Sequence, residues 1–164
     1  MAITHPDLFK IDTGILKKDA FIVIVRTEWN AAIVDKLEEG SKRILDQYGM
    51  INYRVINVPG AFEIPFAIKS FWDNSGIEKP QAFIALGCVL RGDTPHFEYV
   101  CNAVTDGIVQ LNLLLPVPTI FGVLTVDDRQ QADDRTGGEQ GHKGEEAAIT
   151  ALKMIGLQQS FYKR

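Results

Sequence analysis

ALGCVLRGDTPHFEY, residues 85–99, decides how this chain folds, because it reads as a buried strand running straight into the start of a helix. Residues 81–90 are apolar for most of their length, as suits a strand covered on both faces, and Arg91-Gly92-Asp93 supplies the turn. Thr94 is the expected N-cap and Pro95 the expected first helical residue, which places His96 in the first turn. Backbone N–H groups and the positive end of the helix dipole point out of such a turn, so an anion can bind there. Gly92 lets that anion approach the main chain, and His96 stands beside it to move protons. The structural alternative is a capped helix carrying a surface histidine.

Outward from this stretch, 164 residues suffice for one well-buried domain. Hydrophobic residues make up 46% and charged residues 23%, with mean hydropathy near zero, which is ordinary globular composition. A formal charge of −4 argues against nucleic acid as the main partner, since a phosphate-backbone reader carries a basic face, but leaves room for a small anionic substrate. Cys88 and Cys101 lack CxxC or Cys/His spacing and read as reduced core thiols. No signal peptide or membrane-spanning run is evident, so a cytoplasmic protein is expected.

Residues 1–19 read as an arm, 20–156 as the α/β core and 157–164 as a polar tail of a single domain. The apolar run at 20–26 is a strand, followed by a helix capped by Asn30 and stopped by Gly49. A second strand at 51–58 leads through Pro59-Gly60 into a helix with Pro65 near its start. The third unit is the opening stretch, whose helix carries an apolar face and Gly107 for close packing. A fourth strand at 119–126 precedes an acidic segment, a glycine-rich loop at 136–144 and a last helix ending at Gly156. Four alternations of strand and helix imply a three-layer sandwich around a four-stranded parallel sheet. Ligands in such sheets bind beyond the carboxyl ends of the strands, where Trp29, the PGAFE turn, RGDTPH and the glycine-rich segment all lie.

Trp29 is either a stacking platform for a flat ring or a packing residue. Glu63 either complements a helix dipole or accepts hydrogen bonds from ligand hydroxyls. Arg135 and Lys143 flank the glycine-rich loop and are either solvated charges or anchors for a phosphate or polar ring. The loop is no nucleotide cradle, for Gly144 stands where a Walker motif needs Ser or Thr, and GxGxxG is absent. His5, His96 and His142 are scattered, so no metal cluster is expected. The residues alone thus describe a cofactor-free site with a phosphate pocket, a proton-transfer histidine and an aromatic wall.

With VPGAFEIP at 58–65, LGCVLRGDTPHFEYV at 86–100, PTIFGVLT at 118–125, QADDR at 131–135 and GHKGEEAA at 141–148, the chain resembles the 6,7-dimethyl-8-ribityllumazine synthase family over about residues 20–156. The resemblance implies a flavodoxin-like topology and a cofactor-free transferase of riboflavin biosynthesis. That enzyme condenses 5-amino-6-(D-ribitylamino)uracil with 3,4-dihydroxy-2-butanone 4-phosphate, releasing phosphate and water.

It further implies His96 as the proton-transfer residue and Asp93 and Thr94 at the turn holding the butanone phosphate, completed by Arg135. Trp29 would stand against the pyrimidine with Asn30 after it, and Ala61, Phe62 and Glu63 would lie along the ribityl chain. Cys88, Val89 and Leu90 would border the pyrimidine, with Phe121 and Lys143 meeting the same substrate. Phe121, Arg135 and Lys143 would come from a neighbouring subunit of a homopentamer, single, paired or built into a shell, with riboflavin synthase as a further partner. The chain departs from the family's usual pattern at Trp29, where phenylalanine is usual, at Glu28, where arginine is frequent, and at His142, where asparagine often stands. A storage shell that retains flavin on Trp29, and a flavodoxin-like domain binding a ready-made flavin, are the competing readings.

Overall fold

A computed structural model describes residues 10–11 and 19–162, and most of the expected N-terminal arm lies outside them. Four parallel strands, β1 (Ile22–Thr27), β2 (Tyr53–Val58), β3 (Ala82–Leu90) and β4 (Thr119–Val126), lie in the order β2-β1-β3-β4. Register runs continuously, with Ile22 opposite both Tyr53 and Ala82, and Phe83 opposite Thr119. Helices α1 (Ala31–Gln47) and α5 (Lys143–Phe161) cover one face, and α2 (Ile64–Asn74) and α3 (His96–Leu114) the other. A short α4 (Arg129–Asp134) follows β4, and no helix among the described residues is long and apolar enough to cross a membrane.

Side chains alternate across each strand, which explains the unbroken apolar runs. Ile22 and Ile24 enter the core beneath α1 and α5, while Val23 and Val25 enter the one beneath α2 and α3. Gly107 brings α3 onto α2 closely enough that a Cβ there would lie 2.5 Å from Pro65 Cγ.

Several expected boundaries move. Helix α3 begins at His96 with Pro95 as its cap residue, and Thr94 makes no capping bond. Pro95 keeps φ −67° but takes ψ 2°, short of helical backbone, so the start falls one step along the chain. Gly156 does not end α5, because it keeps a negative φ and the buried Ile155 anchors the helix on the sheet. The expected tail therefore begins as helix, through Phe161. The glycine-rich loop at 136–144 is an antiparallel hairpin of β5 (Thr136–Gly138) and β6 (Gly141–His142) leading into α5. Gly137 and Gly141 take the positive φ values, 113° and 83°, that its bends require.

Candidate active site

The strand order reverses direction around β1, since the chain goes from β1 out to β2 on one side and returns to β3 on the other. Backbone at the carboxyl ends of β1 and β3 therefore diverges, and a crevice opens between them. A cavity of about 330 Å³ occupies that crevice, lined by Thr27, Trp29, Asn30, Ala61, Phe62, Glu63, Cys88, Val89, Leu90, His96 and Val100. Nine of the fourteen expected site residues thus converge on one cleft. Asp93 and Thr94 lie in the exposed turn just before His96, outside the lining.

Trp29 is 65% exposed, yet one part of its ring lies over Gly60, where a Cβ would come within 2.6 Å of Cε3 and Cζ3. The glycine thus seats the indole, and the N–H of Trp29 donates to the Pro59 carbonyl at 3.1 Å. Glu63 closes the same turn by accepting the Gly60 N–H on Oε2 at 3.1 Å. Its carboxylate therefore positions the turn as well as facing the cleft.

Asn30 does not cap α1 with its side chain. It adopts φ 60° and ψ 37°, the left-handed region, and its Nδ2 donates to the Cys88 carbonyl at 2.8 Å. The short amide tolerates this backbone and ties the end of β1 to the end of β3 across the floor of the crevice. Asn30→Ala is expected to cost about 2 kcal/mol of stability, from left-handed strain plus an orphaned carbonyl. Asn30→Gly, which escapes the strain, should cost about half as much, read from denaturant midpoints at constant slope.

Burial raises the Cys88 thiol to about 11, with Arg129 opposing weakly. A thiol held neutral is a wall, not a nucleophile.

The turn from β3 to α3 presents unpaired main-chain donors. Among the described residues none accepts a hydrogen bond from the N–H groups of Gly92, Asp93 or Thr94, and the space over Gly92 is open. Arg91 braces this turn in a way the sequence did not reveal. Its Nε bonds Asp127 Oδ1 at 2.6 Å, its Nη1 bonds Glu98, and its guanidinium lies 4.1 Å from the centre of the Phe97 ring. The hydrogen bond from Arg91 holds Asp127, and likewise Glu98, below the usual carboxylate range. One guanidinium between two carboxylates leaves this group at a net charge of −1, so Arg91 is taken up by its own neighbours and an incoming anion relies on the main-chain donors of the turn.

Phe121, Arg135 and Lys143 are not in this cleft. They line a second cavity of about 380 Å³ on the β4 side, with Val123, Gln131 and Asp134 among its other walls. The two cavities share no lining residue. Neither cation is a loose solvated charge. Arg135 bonds both carboxylate oxygens of Glu146, at 3.2 and 3.0 Å, and Lys143 Nζ lies 3.6 Å from Glu146 Oε2. Glu146, in the first turn of α5 where the helix dipole alone would explain it, joins both cations and is a candidate site residue that the sequence did not announce. Its spacing of three residues from Lys143, on one helix face, was the available signal.

A family model described as 6,7-dimethyl-8-ribityllumazine synthase matches residues 19–159. Proteins carrying that same name are similar over most of the chain. One from Parabacteroides distasonis is 50% identical, covering 82% of this chain and 83% of its own length. Another, from Porphyromonas gingivalis, is 48% identical with 86% and 87% covered, and one from Bacteroides fragilis is 47% identical with 80% and 92% covered.

Proposed function

The chain belongs to the 6,7-dimethyl-8-ribityllumazine synthase family, enzymes of riboflavin biosynthesis, and from that premise we propose how its two cavities divide the work of condensing 5-amino-6-(D-ribitylamino)uracil with 3,4-dihydroxy-2-butanone 4-phosphate. The observation that carries this reading is the convergence of Trp29, Ala61–Glu63, Cys88–Leu90 and His96 on the crevice between β1 and β3. The pyrimidine stacks on the exposed indole and is edged by the main chain at the end of β3, while the ribityl hydroxyls run along the 61–63 turn toward Glu63. The phosphate of the second substrate docks on the N–H groups at 92–94, its charge balanced by Arg135. The resemblance implies that Arg135, Lys143 and Phe121 serve the cleft of an adjacent copy, a reading their place in a separate cavity supports, so a complete site needs a homo-oligomer, of which a pentamer is the form proposed.

In the reaction the amine attacks the ketone, water leaves to give an imine, phosphate is eliminated, and ring closure releases a second water. Each step moves a proton, and His96 lines the cleft beside the phosphate turn, where one imidazole can take and return several in succession. Much of the remaining rate comes from holding two substrates in register. Incubating the protein with both substrates should generate lumazine fluorescence; none would exclude the synthase reading. His96→Ala is expected to lower kcat about 100-fold with little change in either KM. A fall to the rate of the substrates alone in buffer, or no fall, would refute this division of labour.

A further inference from the structure

His142 is the residue before Lys143, at the junction of β6 and α5. Its ring is wedged against α1 so closely that a Cβ on Gly40 would lie 2.1 Å from Cε1, 2.6 Å from Nδ1 and 2.7 Å from Nε2. The imidazole occupies the volume that any side chain at position 40 would need. Nδ1 is shielded from solvent and has no hydrogen-bond partner among the described residues. The hairpin behind it is fixed, since His142 pairs with Thr136 and the Lys143 N–H donates to the Arg135 carbonyl at 2.8 Å.

The charged groups that act on the ring are Arg43 from α1 and Glu145 and Glu146 from α5, while β5 contributes the uncharged Thr136. Arg43 and Glu145 are paired with each other at 2.6 Å, and Glu146 is held by Arg135 and Lys143. All the carboxylates acting on the ring are thus already engaged, so an imidazolium here would enter a shielded notch with only a backbone hydrogen bond to support it.

We propose that His142 is a positioning residue: its neutral ring, seated on Gly40, fixes the first turn of α5 so that Lys143 and Arg135 face the donated cavity together. The inference rests on the reading that Lys143 meets the pyrimidine substrate. Burial is the main cause holding the His142 imidazole below its ordinary value of 6.5. The unfolded chain therefore binds the extra proton first as pH falls through 6.5, and the stability this ring contributes, complete above that pH, is lost on acidification toward the folded value. A protonated ring leaves its seat, and Lys143 loses its alignment.

The test is steady-state kinetics of the assembled enzyme between about pH 5 and pH 8 for wild type, His142→Ala, His142→Asn, Lys143→Ala and the His142→Ala/Lys143→Ala double variant. His142→Ala should raise KM for the ribitylaminouracil about tenfold at neutral pH with kcat nearly unchanged, and should add little once Lys143 is gone. Wild type should show a rise in that KM on acidification that the non-titrating His142→Asn lacks. A responsive Lys143→Ala beside a silent or fully additive His142→Ala overturns this inference alone. A silent Lys143→Ala overturns the substrate role of Lys143 and the inference with it. Should His142→Ala fail to fold, an acid rise shared equally by wild type and His142→Asn overturns the proposal.

Discussion

Arg135→Ala is expected to raise KM for 3,4-dihydroxy-2-butanone 4-phosphate about 100-fold while leaving KM for the ribitylaminouracil within a few-fold of its starting value. The guanidinium is pre-positioned, since Glu146 grips it through two hydrogen bonds at 3.2 and 3.0 Å and the Gln140 carbonyl accepts from Nη1. Little side-chain freedom remains to be lost when phosphate arrives, so the charge-assisted contact is retained nearly in full. Removing it costs about 3 kcal/mol of binding, of the order found when one partner of a desolvated charge pair is truncated. Arg135→Lys should recover only part of this, because an ammonium cannot bond Glu146 and phosphate as a planar fork does. Equal increases in both Michaelis constants would point to a general collapse of the hairpin, and unchanged constants would remove Arg135 from the phosphate site.

The second large effect falls on folding. A Cβ at Gly144 would lie 2.0 Å from the Leu37 carbonyl oxygen, with Leu37 Cα and the carbonyl carbon also inside 3 Å. Leu37 is wholly buried, and the Gly144 carbonyl accepts the Ser41 hydroxyl at 2.8 Å across the same crossing of α1 and α5. Backbone rather than a flexible side-chain tip blocks the way, so Gly144→Ala can be accommodated only by moving the two helices apart. Overpacking of this kind costs about 3 kcal/mol, plus the lost Ser41 bond. For a chain of this length the midpoint should drop by about 10 °C at fixed protomer concentration. Gly156→Ala, facing open space at a helical position of the same helix, is the control and should raise the midpoint by a few degrees, since Ala gains about 1 kcal/mol over Gly there. Equal stability of both variants would mean that the crossing yields far more readily than its geometry indicates.

The sheet and its helices were legible because a parallel strand buried on both faces must be apolar throughout. Residues 22–25 and 82–88 say so without ambiguity. The candidate cleft between β1 and β3 was legible for a related reason, since the unusual residues follow the strands' carboxyl ends and the order β2-β1-β3-β4 opens a crevice there.

What escaped depended on contacts distant in sequence. Asn30 has the residue type of a cap, but its amide found the Cys88 carbonyl 58 positions away. Arg91 reads as a turn residue until Asp127 is brought beside it, and Glu146 reads as a dipole partner until Arg135 arrives. Gly156 fits a helix stop by local rules, yet the packing of Ile155 and the residues before it carries the helix past it. The resemblance singled out Phe121, Arg135 and Lys143, while their placement in a cavity of their own needed the fold.

On the proposed reading, that placement also governs the arithmetic of assembly. A host surface and a donor surface at different places on one chain make a head-to-tail contact, which either closes into a circle or runs on as a filament. An open row of chains always leaves one unserved cleft at one end and one idle set of cations at the other. Closure removes both at once, so a circular arrangement is the smallest body in which each copy gives and receives equally.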